Sequence, residues 1–591
     1  MLLLALPGCL AQTPTLSVST RLVQVEVIVK DSHGNPRRGL TKDDFILFDR
    51  GKRQKIRVFE VADHDQAVPD REAIAGAKPA DLPFSNRVAA DRDTPNTPTV
   101  IVIDARDSWS GGSDAWVFSD LWQAREALVN FLGQVRPKDR LGIYFLGPNG
   151  FWIFREYNQD CTELIERLAT WKGSASPGLK EAYGSRPTDG WTEFALHFIR
   201  VDRDTAKAIH RAQFWEGGGF GSAPGVSQPN FPALTGGASR DPNFPVSAGM
   251  GFAPNEQGVF VPTGGGFGLM SDVANHLAAI PGRKNVIWVS TRVVVPAENE
   301  KRLDALRRVF RTGVSLYPID PQGLMTFMPS GSFRASTVSY GPSTPRDATA
   351  IMEQEALASY GQAKKASVTA FHMALRWLAE ETGGKAAVDT NDVAGAIRSA
   401  FEDTRLVYML GFYPGEQKAD GSYHPIKVAV NQPGLSVRAR SGYFEPGDAS
   451  STPESRANDL YQATWSPVDA SLIEIRGEIV PSGPPLEPAI TLNLKIGVAG
   501  LLMQPANGQL STQFEAVLVQ RDNAGNEYGR WSQAIAVKLE QSKYDRLLER
   551  GLAYTRSIPR NPKATSVRAI IRDSATGNFG TLTIPFEPFA R

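Results

Sequence analysis

Apolar and polar positions along this chain follow two periods, and the changes of period divide it. From Leu16 to Val61 the period is two: Val23, Val25, Val27 and Val29 alternate with Gln24, Glu26 and Ile28, Asp31-Ser-His-Gly-Asn-Pro36 supplies turn residues, and Phe45-Ile-Leu-Phe48 and Ile56-Arg-Val-Phe59 follow. Such alternation predicts half-buried strands. They are too few to close a core alone, so residues 12–61 are expected to form one part of a β-sandwich. Residues 62–97, rich in Asp, Ala and Pro and without apolar periodicity, read as a linker.

The pattern then changes to continuous apolar runs separated by helical spacing. Thr99-Val-Ile-Val-Ile-Asp104 is a β-branched run ending in an acid, which predicts a buried parallel strand whose carboxyl end opens into a ligand-facing loop, Ala105 to Ser110. Phe118 to Val135 carries Leu121, Trp122, Ala124, Leu128, Phe131 and Leu132 at helical spacing, and Arg140 to Leu146 reads as the next strand. Helices are expected at Cys161 to Trp171 and Glu193 to Phe214. The alternation resumes with the helical stretch Ser271 to Ala279, strand Asn285 to Ser290, helix Lys301 to Thr312 and strand Val314 to Asp320. A long helix, Arg346 to Thr382, stops at Gly383-Gly384. Residues 98–403 are therefore expected to be an α/β unit, a Rossmann-like doubly wound parallel sheet.

Residues 216–270 interrupt it. Gly217-Gly-Gly-Phe-Gly221 and Gly264-Gly-Gly-Phe-Gly268 bracket a stretch of Gly, Pro, Asn and isolated Phe, read as an insertion without a core, with a lid over the sheet edge as the sharper alternative. Period-two strands return over 404–445, where Leu406 to Tyr413, His424 to Val430 and Ser436 to Arg440 are expected to complete the N-terminal sandwich. Residues 446–458 read as a second linker. The remainder, 459–591, has short strands at Ile490 to Ile496, Phe514 to Val519, Ala534 to Lys538, Ser566 to Ile571 and Gly580 to Ile584, with a helix at Tyr544 to Arg550, and predicts a second sandwich.

Composition narrows the function classes. The chain has 591 residues and a formal net charge of +1, so no basic footprint points to nucleic acid. Its two cysteines, Cys9 and Cys161, cannot make a disulfide framework. Met1 to Ala11 resembles the apolar end of a signal peptide cleaved after Ala11, which predicts an exported protein: periplasmic, envelope-associated or secreted. Lipid anchorage at Cys9 is the alternative, and an uncleaved apolar terminus a third. No later stretch is long and apolar enough for a transmembrane helix. No H-E-x-x-H, G-x-S-x-G or G-x-x-x-x-G-K-[ST] motif occurs. His276 and His372 read as packing or surface residues, Cys161 as a buried thiol and Asp320 as a turn former.

Ile101-Val-Ile-Asp104, Pro137-Lys-Asp-Arg-Leu-Gly-Ile-Tyr-Phe145, Ile280-Pro-Gly-Arg-Lys-Asn-Val-Ile-Trp-Val-Ser290, Val314-Ser-Leu-Tyr-Pro-Ile-Asp320 and Leu378-Ala-Glu-Glu-Thr-Gly-Gly384 together resemble the von Willebrand factor type A-related domain family of the Acidobacteria. Val25 to Gly34, Leu40 to Phe45, Leu410 to Pro414 and Val437 to Tyr443 match it too. The resemblance implies a VWA-like fold flanked by Ig-like sandwiches, and a top edge where a D-x-S-x-S loop, a threonine and a later aspartate hold Mg²⁺ for a partner's carboxylate. This chain departs from that pattern. Asp104 and Ser108 fit, but Arg106 replaces the middle serine, and Ser290-Thr291 replaces the later aspartate.

Two states of the loop follow. In one, a divalent cation, Mg²⁺, is held by Asp104 and Ser108 with Thr263 as the threonine, while Asp107 and Ser110 offer oxygens from a shifted loop. In the other there is no cofactor, and the Arg106 guanidinium pairs with Asp104. Either way Asp104, Arg106, Asp107, Ser108 and Ser110 are the candidate binding residues. The expected function is non-catalytic: binding of an unidentified protein partner at the top edge, as an adhesion or scaffold protein. An envelope hydrolase with a loop-assembled site is the alternative.

Overall fold

The computed structural model describes residues 22–63, 82–87, 98–104, 127–136, 139, 141–147, 150–155, 161–162, 251–254, 260–263, 267–280, 282–290, 299–323, 368–415, 421–445, 453–466, 468–506, 508–522 and 526–586. The architecture is mixed α/β, with several small antiparallel sheets and one largely parallel sheet.

The N-terminal strands β1 (Val23–Lys30), β2 (Phe45–Asp49), β3 (Lys52–Gln54) and β4 (Val58–Asp63) do not pair among themselves alone. Four strands from beyond the α/β segment join them: β13 (Leu406–Phe412), β14 (Tyr423–Val430), β15 (Ser436–Arg438) and β16 (Gly442–Phe444). The two sheets run β15-β1-β13-β4 and β16-β14-β2-β3. Val25 stands opposite Leu410, and Phe48 opposite Lys427. The period-two pattern points Val23, Val25, Val27 and Val29 inward against Phe45, Leu47, Leu410 and Phe412.

Between those two sets of strands, β6 (Thr99–Asp104), β7 (Leu141–Gly147), β8 (Gly150–Arg155), β11 (Lys284–Ser290) and β12 (Val314–Ile319) form a sheet ordered β12-β11-β6-β7-β8, parallel except at β8. Every residue of β6, β11 and β12 is buried because helices cover both faces. Ile101 and Ile103 face Leu128 and Phe131 of α1 (127–132) and Ile397 and Phe401 of α5 (Val393–Glu402). Val100 and Val102 face the opposite way, toward Val273 of α2 (Phe267–His276), Val309 of α3 (Asn299–Thr312) and Leu375 and Leu378 of α4 (368–382). Truncating such a side chain, as in Ile101→Ala, costs roughly 2–5 kcal/mol.

Helix α4 ends where the sequence predicts. Gly383 has φ +76°, and a Cβ on Gly384 would lie 1.8 Å from the Leu316 carbonyl oxygen, so the chain passes against β12 only because side chains are missing there.

Three expected boundaries shift. The span 62–97 is not wholly linker: β4 runs to Asp63, and β5 (Phe84–Ser85) pairs with Arg476 and Gly477 of the C-terminal domain. Asn86, 3% exposed, locks it by donating to the carbonyls of Ala470 (2.7 Å) and Ile473 (2.8 Å) and accepting from the Ile475 amide (2.8 Å). A two-residue strand held by one amide side chain leaves no periodicity to read. The span 446–458 contains the start of α6 (Pro453–Trp465), whose first helical residue is proline, the position where its missing N–H costs nothing. Within the insertion 216–270, β9 (Gly251–Pro254) and β10 (Phe260–Thr263) form a hairpin, and α2 begins at Phe267, burying Met270 in the core. The rest of the insertion, residues 216–250, 255–259 and 264–266, lies outside the described residues, as do 118–126, 163–171, 193–214 and 346–367 of the expected helices.

The C-terminal sandwich combines β22-β18-β17-β5 with β19-β20-β23-β24, and β21 pairs along β20. Its strands are β17 (Ile475–Ser482), β18 (Ala489–Ile496), β19 (Gln504–Ala506), β20 (Gln509–Arg521), β21 (Glu527–Leu539), β22 (Leu552–Pro559), β23 (Ser566–Asp573) and β24 (Phe579–Pro585), with α7 (Gln541–Arg550) between β21 and β22. It docks on the α/β unit through α2: the Ser471 hydroxyl donates to the His276 carbonyl (2.7 Å), and His276 Nδ1 lies 2.9 Å from the Asp469 carbonyl. Nearby, Arg568, 1% exposed, donates to the carbonyls of Ala463 and Val468, to the hydroxyls of Thr581 and Thr583, and to Asp469. Among the described residues no helix is long and apolar enough to cross a membrane.

Candidate functional site

The carboxyl end of the parallel sheet collects the polar residues that the strands bury. Chain order sets the place: β6 leads to β7 and β8 on one side, and the chain then returns to lay β11 and β12 on the other. The order therefore reverses between β6 and β11, and in open α/β sheets that reversal opens a crevice beyond the carboxyl ends of the strands. Asp104 ends β6 and Ser290 ends β11, in register with one another. The Ser290 hydroxyl donates to Asp104 Oδ2 at 3.2 Å, and the two residues are 4% and 1% exposed. The strand periodicity delivers both side chains there, because each follows a run of buried apolar residues.

Arg106, Asp107, Ser108 and Ser110 lie outside the described residues, so the Arg106 pairing with Asp104 does too. The backbone of Thr263 is described: it ends β10 opposite Gly251, four residues before Phe267, where α2 begins. Its side chain is outside the described set. Among the described residues, no group of three or more His, Cys, Asp or Glu side chains is arranged to hold a metal ion. Asp104 and Ser290 bring one carboxylate and one hydroxyl, against the six or so oxygens a Mg²⁺ ion takes.

A second polar group stands one strand further out. Asp320 follows β12 and is fully buried; its Oδ2 lies 2.7 Å from His372 Nε2 of α4, and its Oδ1 accepts from the Gln322 amide at 3.0 Å. Burial pushes the Asp320 carboxyl above the ordinary carboxylate range, and the hydrogen bonds from Gln322 and His372 pull it back only in part. His372 Nδ1 faces Asp389 Oδ1 at 3.3 Å, and Arg376 donates to the other Asp389 oxygen at 3.1 Å. Asp389 has φ +57°, a conformation uncommon for a residue with a side chain.

The Gln322 bond is the turn-forming role that sequence assigns to Asp320, while the pairing with His372 is not visible in sequence. The two residues are 52 positions apart, and no linear motif links them. His276 is a packing residue at the domain contact, and the Cys161 thiol is buried, donating to the Asp139 carbonyl at 3.1 Å.

The chain matches no protein-family model and no curated protein. What the site can do is therefore argued from its own geometry.

Proposed function

We propose that this chain is an exported, non-catalytic binding protein, a VWA-like α/β domain flanked by Ig-like sandwiches, which receives a protein partner at the carboxyl edge of its parallel sheet. The observation that carries the reading is the Asp104–Ser290 pair at the reversal of strand order. Export rests on the signal-like Met1 to Ala11. The loop from Asp104 to Ser110 supplies the contact, with Asp104 and Arg106 as an internal ion pair in place of a cation.

The test is recovery of partners from envelope extract by the wild-type chain and by an Asp104→Ala, Ser108→Ala double variant that unfolds at the same temperature. Loss of a partner in the variant supports the reading; equal recovery removes it. Titration calorimetry settles the loop's state: Mg²⁺ or Mn²⁺ binding in the micromolar range that Asp104→Ala abolishes would establish the cation-bound form.

The Asp320–His372 pair gives the hydrolase reading its one specific support, because a buried carboxylate orienting an imidazole is half of a nucleophile-activating set. The other half differs. Where a serine or cysteine would face the second ring nitrogen, Asp389 does. Hydrolysis of ester, peptide or glycoside substrates that His372→Gln abolishes would favour the enzyme.

A further inference from the structure

The C-terminal sandwich covers its sheet edges unequally. β5 lies along the outer side of β17, opposite Arg476 and Gly477. Residues 469–471 cover β24 in the same way: the Thr581 amide donates to the Ala470 carbonyl at 2.9 Å, the Thr583 amide donates to Asp469 Oδ2 at 3.0 Å, and Ser471 bridges Gly580. An uncovered strand edge is a row of unpaired N–H and C=O groups, a template for another chain. β21 has such an edge. It pairs with β20 along its length and, among the described residues, has no strand on its other side.

The sequence of β21 does little to protect that edge. Its 13 residues carry no proline, and the one irregularity of register sits at its start, opposite Gln520 and Arg521. Its charges stand toward the two ends, with Glu527 and Arg530 paired at 2.7 Å at one and Lys538 at the other. Between them, Trp531-Ser-Gln-Ala-Ile-Ala-Val537 is uncharged. Ser532, Gln533, Ala534 and Ala536 are exposed, while Trp531, Ile535 and Val537 pack only in part on the sandwich core. An uncharged, proline-free run of that length on a sheet edge favours pairing with a further strand.

The run is complementary to itself. Along an antiparallel edge only alternate residues turn their N–H and C=O outward, so two copies of β21 pair about a two-fold axis only when the axis passes through a residue. With the axis at Gln533, Tyr528 to Lys538 pair throughout. Trp531 then stands opposite Ile535 of the second copy, a favourable aromatic and β-branched pair that continues the half-covered inner face from one sheet into the other. On the outer face Ser532 meets Ala534, Arg530 meets Ala536 and Lys538 meets Tyr528, so no like charges are opposed. An axis at Ala534 would set Arg530 against Lys538.

We propose that two copies of this chain associate through β21, antiparallel and centred on Gln533, which joins their C-terminal sandwiches edge to edge. Each assembly then carries two α/β units, and the assignment does not rest on what their carboxyl edges bind.

The experiment is sedimentation velocity of the full chain and of two charged variants. Ser532→Lys with Ala534→Lys sets lysines directly opposite one another in the dimer, and Ser532→Glu with Ala534→Glu does the same with glutamates. Wild type is expected to sediment as a dimer that dissociates on dilution, and each variant alone to dimerise about tenfold more weakly or worse. An equimolar mixture of the two variants is expected to restore the dimer, because lysine then faces glutamate. Both positions are exposed, so the variants are expected to unfold at the wild-type temperature. Gln533→Cys supplies a reading that needs no charge: both kinds of antiparallel pair bring facing Cα atoms to about 4.5–5.5 Å, within reach of a disulfide. An interchain disulfide absent from oxidised wild type is expected. A wild type that is monomeric at every concentration, a dimer indifferent to the lysine variant, a mixture that fails to reassociate, or no new disulfide in Gln533→Cys would each overturn the proposal.

Discussion

At the amino end of the parallel sheet, Arg283 and Asn285 between them tie four segments together, whereas at the carboxyl end the Ser290 hydroxyl reaches Asp104 on the neighbouring strand at 3.2 Å. Arg283 donates to Asn285 Oδ1 at 2.9 Å, to the Tyr317 hydroxyl at 2.9 Å and to the Gly383 carbonyl at 2.8 Å, and Asn285 passes the connection to the Ala400 carbonyl of α5 at 3.1 Å. Those bonds link β11, β12, the turn after α4 and α5. A buried polar residue with so many structural partners is explained by the fold. Asp104, Asp320 and His372 are as deeply buried, and they stand where an open α/β sheet presents ligands. The contrast is between polar residues whose bonds run through the core of the sheet and polar residues that end its strands at the carboxyl edge.

The largest effect is expected from Arg283→Met. It strips Asn285, Tyr317 and Gly383 of their donor inside the core and should lower unfolding free energy by about 3 to 5 kcal/mol, measured in urea. A loss below about 1 kcal/mol would erase the distinction between the two ends.

The next concerns Lys284, the buried first residue of β11. Its folded pKa of about 8 lies below the ordinary 10.5, so between those values the unfolded chain binds the extra proton and stability rises with pH. The charged lysine therefore weakens the fold below about pH 8, and the handicap is gone above about pH 10.5. Lys284→Met should remove that slope, worth on the order of 3 kcal/mol, and should be the more stable protein at neutral pH. Parallel pH–stability curves for the two proteins would contradict the account.

At the carboxyl end, His372→Ala leaves the Asp320 carboxyl, 0% exposed, without its ring partner, and should cost about 1 to 3 kcal/mol. The smallest effect on stability is expected at Asp104. Asp104→Ala removes the acceptor of the Ser290 hydroxyl and should change unfolding free energy by about 1 kcal/mol, while partner recovery falls. A large loss of stability there would make Asp104 a structural residue like Arg283.

Periodicity made the strands legible and left their partners unread. Val23, Val25, Val27 and Val29 announce a buried strand face, and Thr99 to Asp104 announce a strand buried on both faces, because burial selects side chains locally. The β5–β17 contact escaped because two residues carry no period, and its anchor, Asn86, resembles any loop asparagine. Helix α6 escaped although Pro453 and Glu454 mark a helix start, because the surrounding Ser, Pro and acids match linker composition equally well. Of the candidate site, Asp104 was legible as the acid at the end of an apolar run. Its partner Ser290 and the Asp320–His372 pair needed the tertiary fold, since 186 and 52 residues separate the partners.

The most direct test of the carboxyl edge as the binding surface is cross-linking of the wild-type chain in envelope extract, followed by mass spectrometric mapping. Intermolecular cross-links to other proteins are expected to fall on the loops following Asp104, Ser290 and Asp320 and to disappear in Asp104→Ala, Ser108→Ala. Cross-links confined to the sandwich faces or to the Lys284 end, unchanged in that variant, would contradict it.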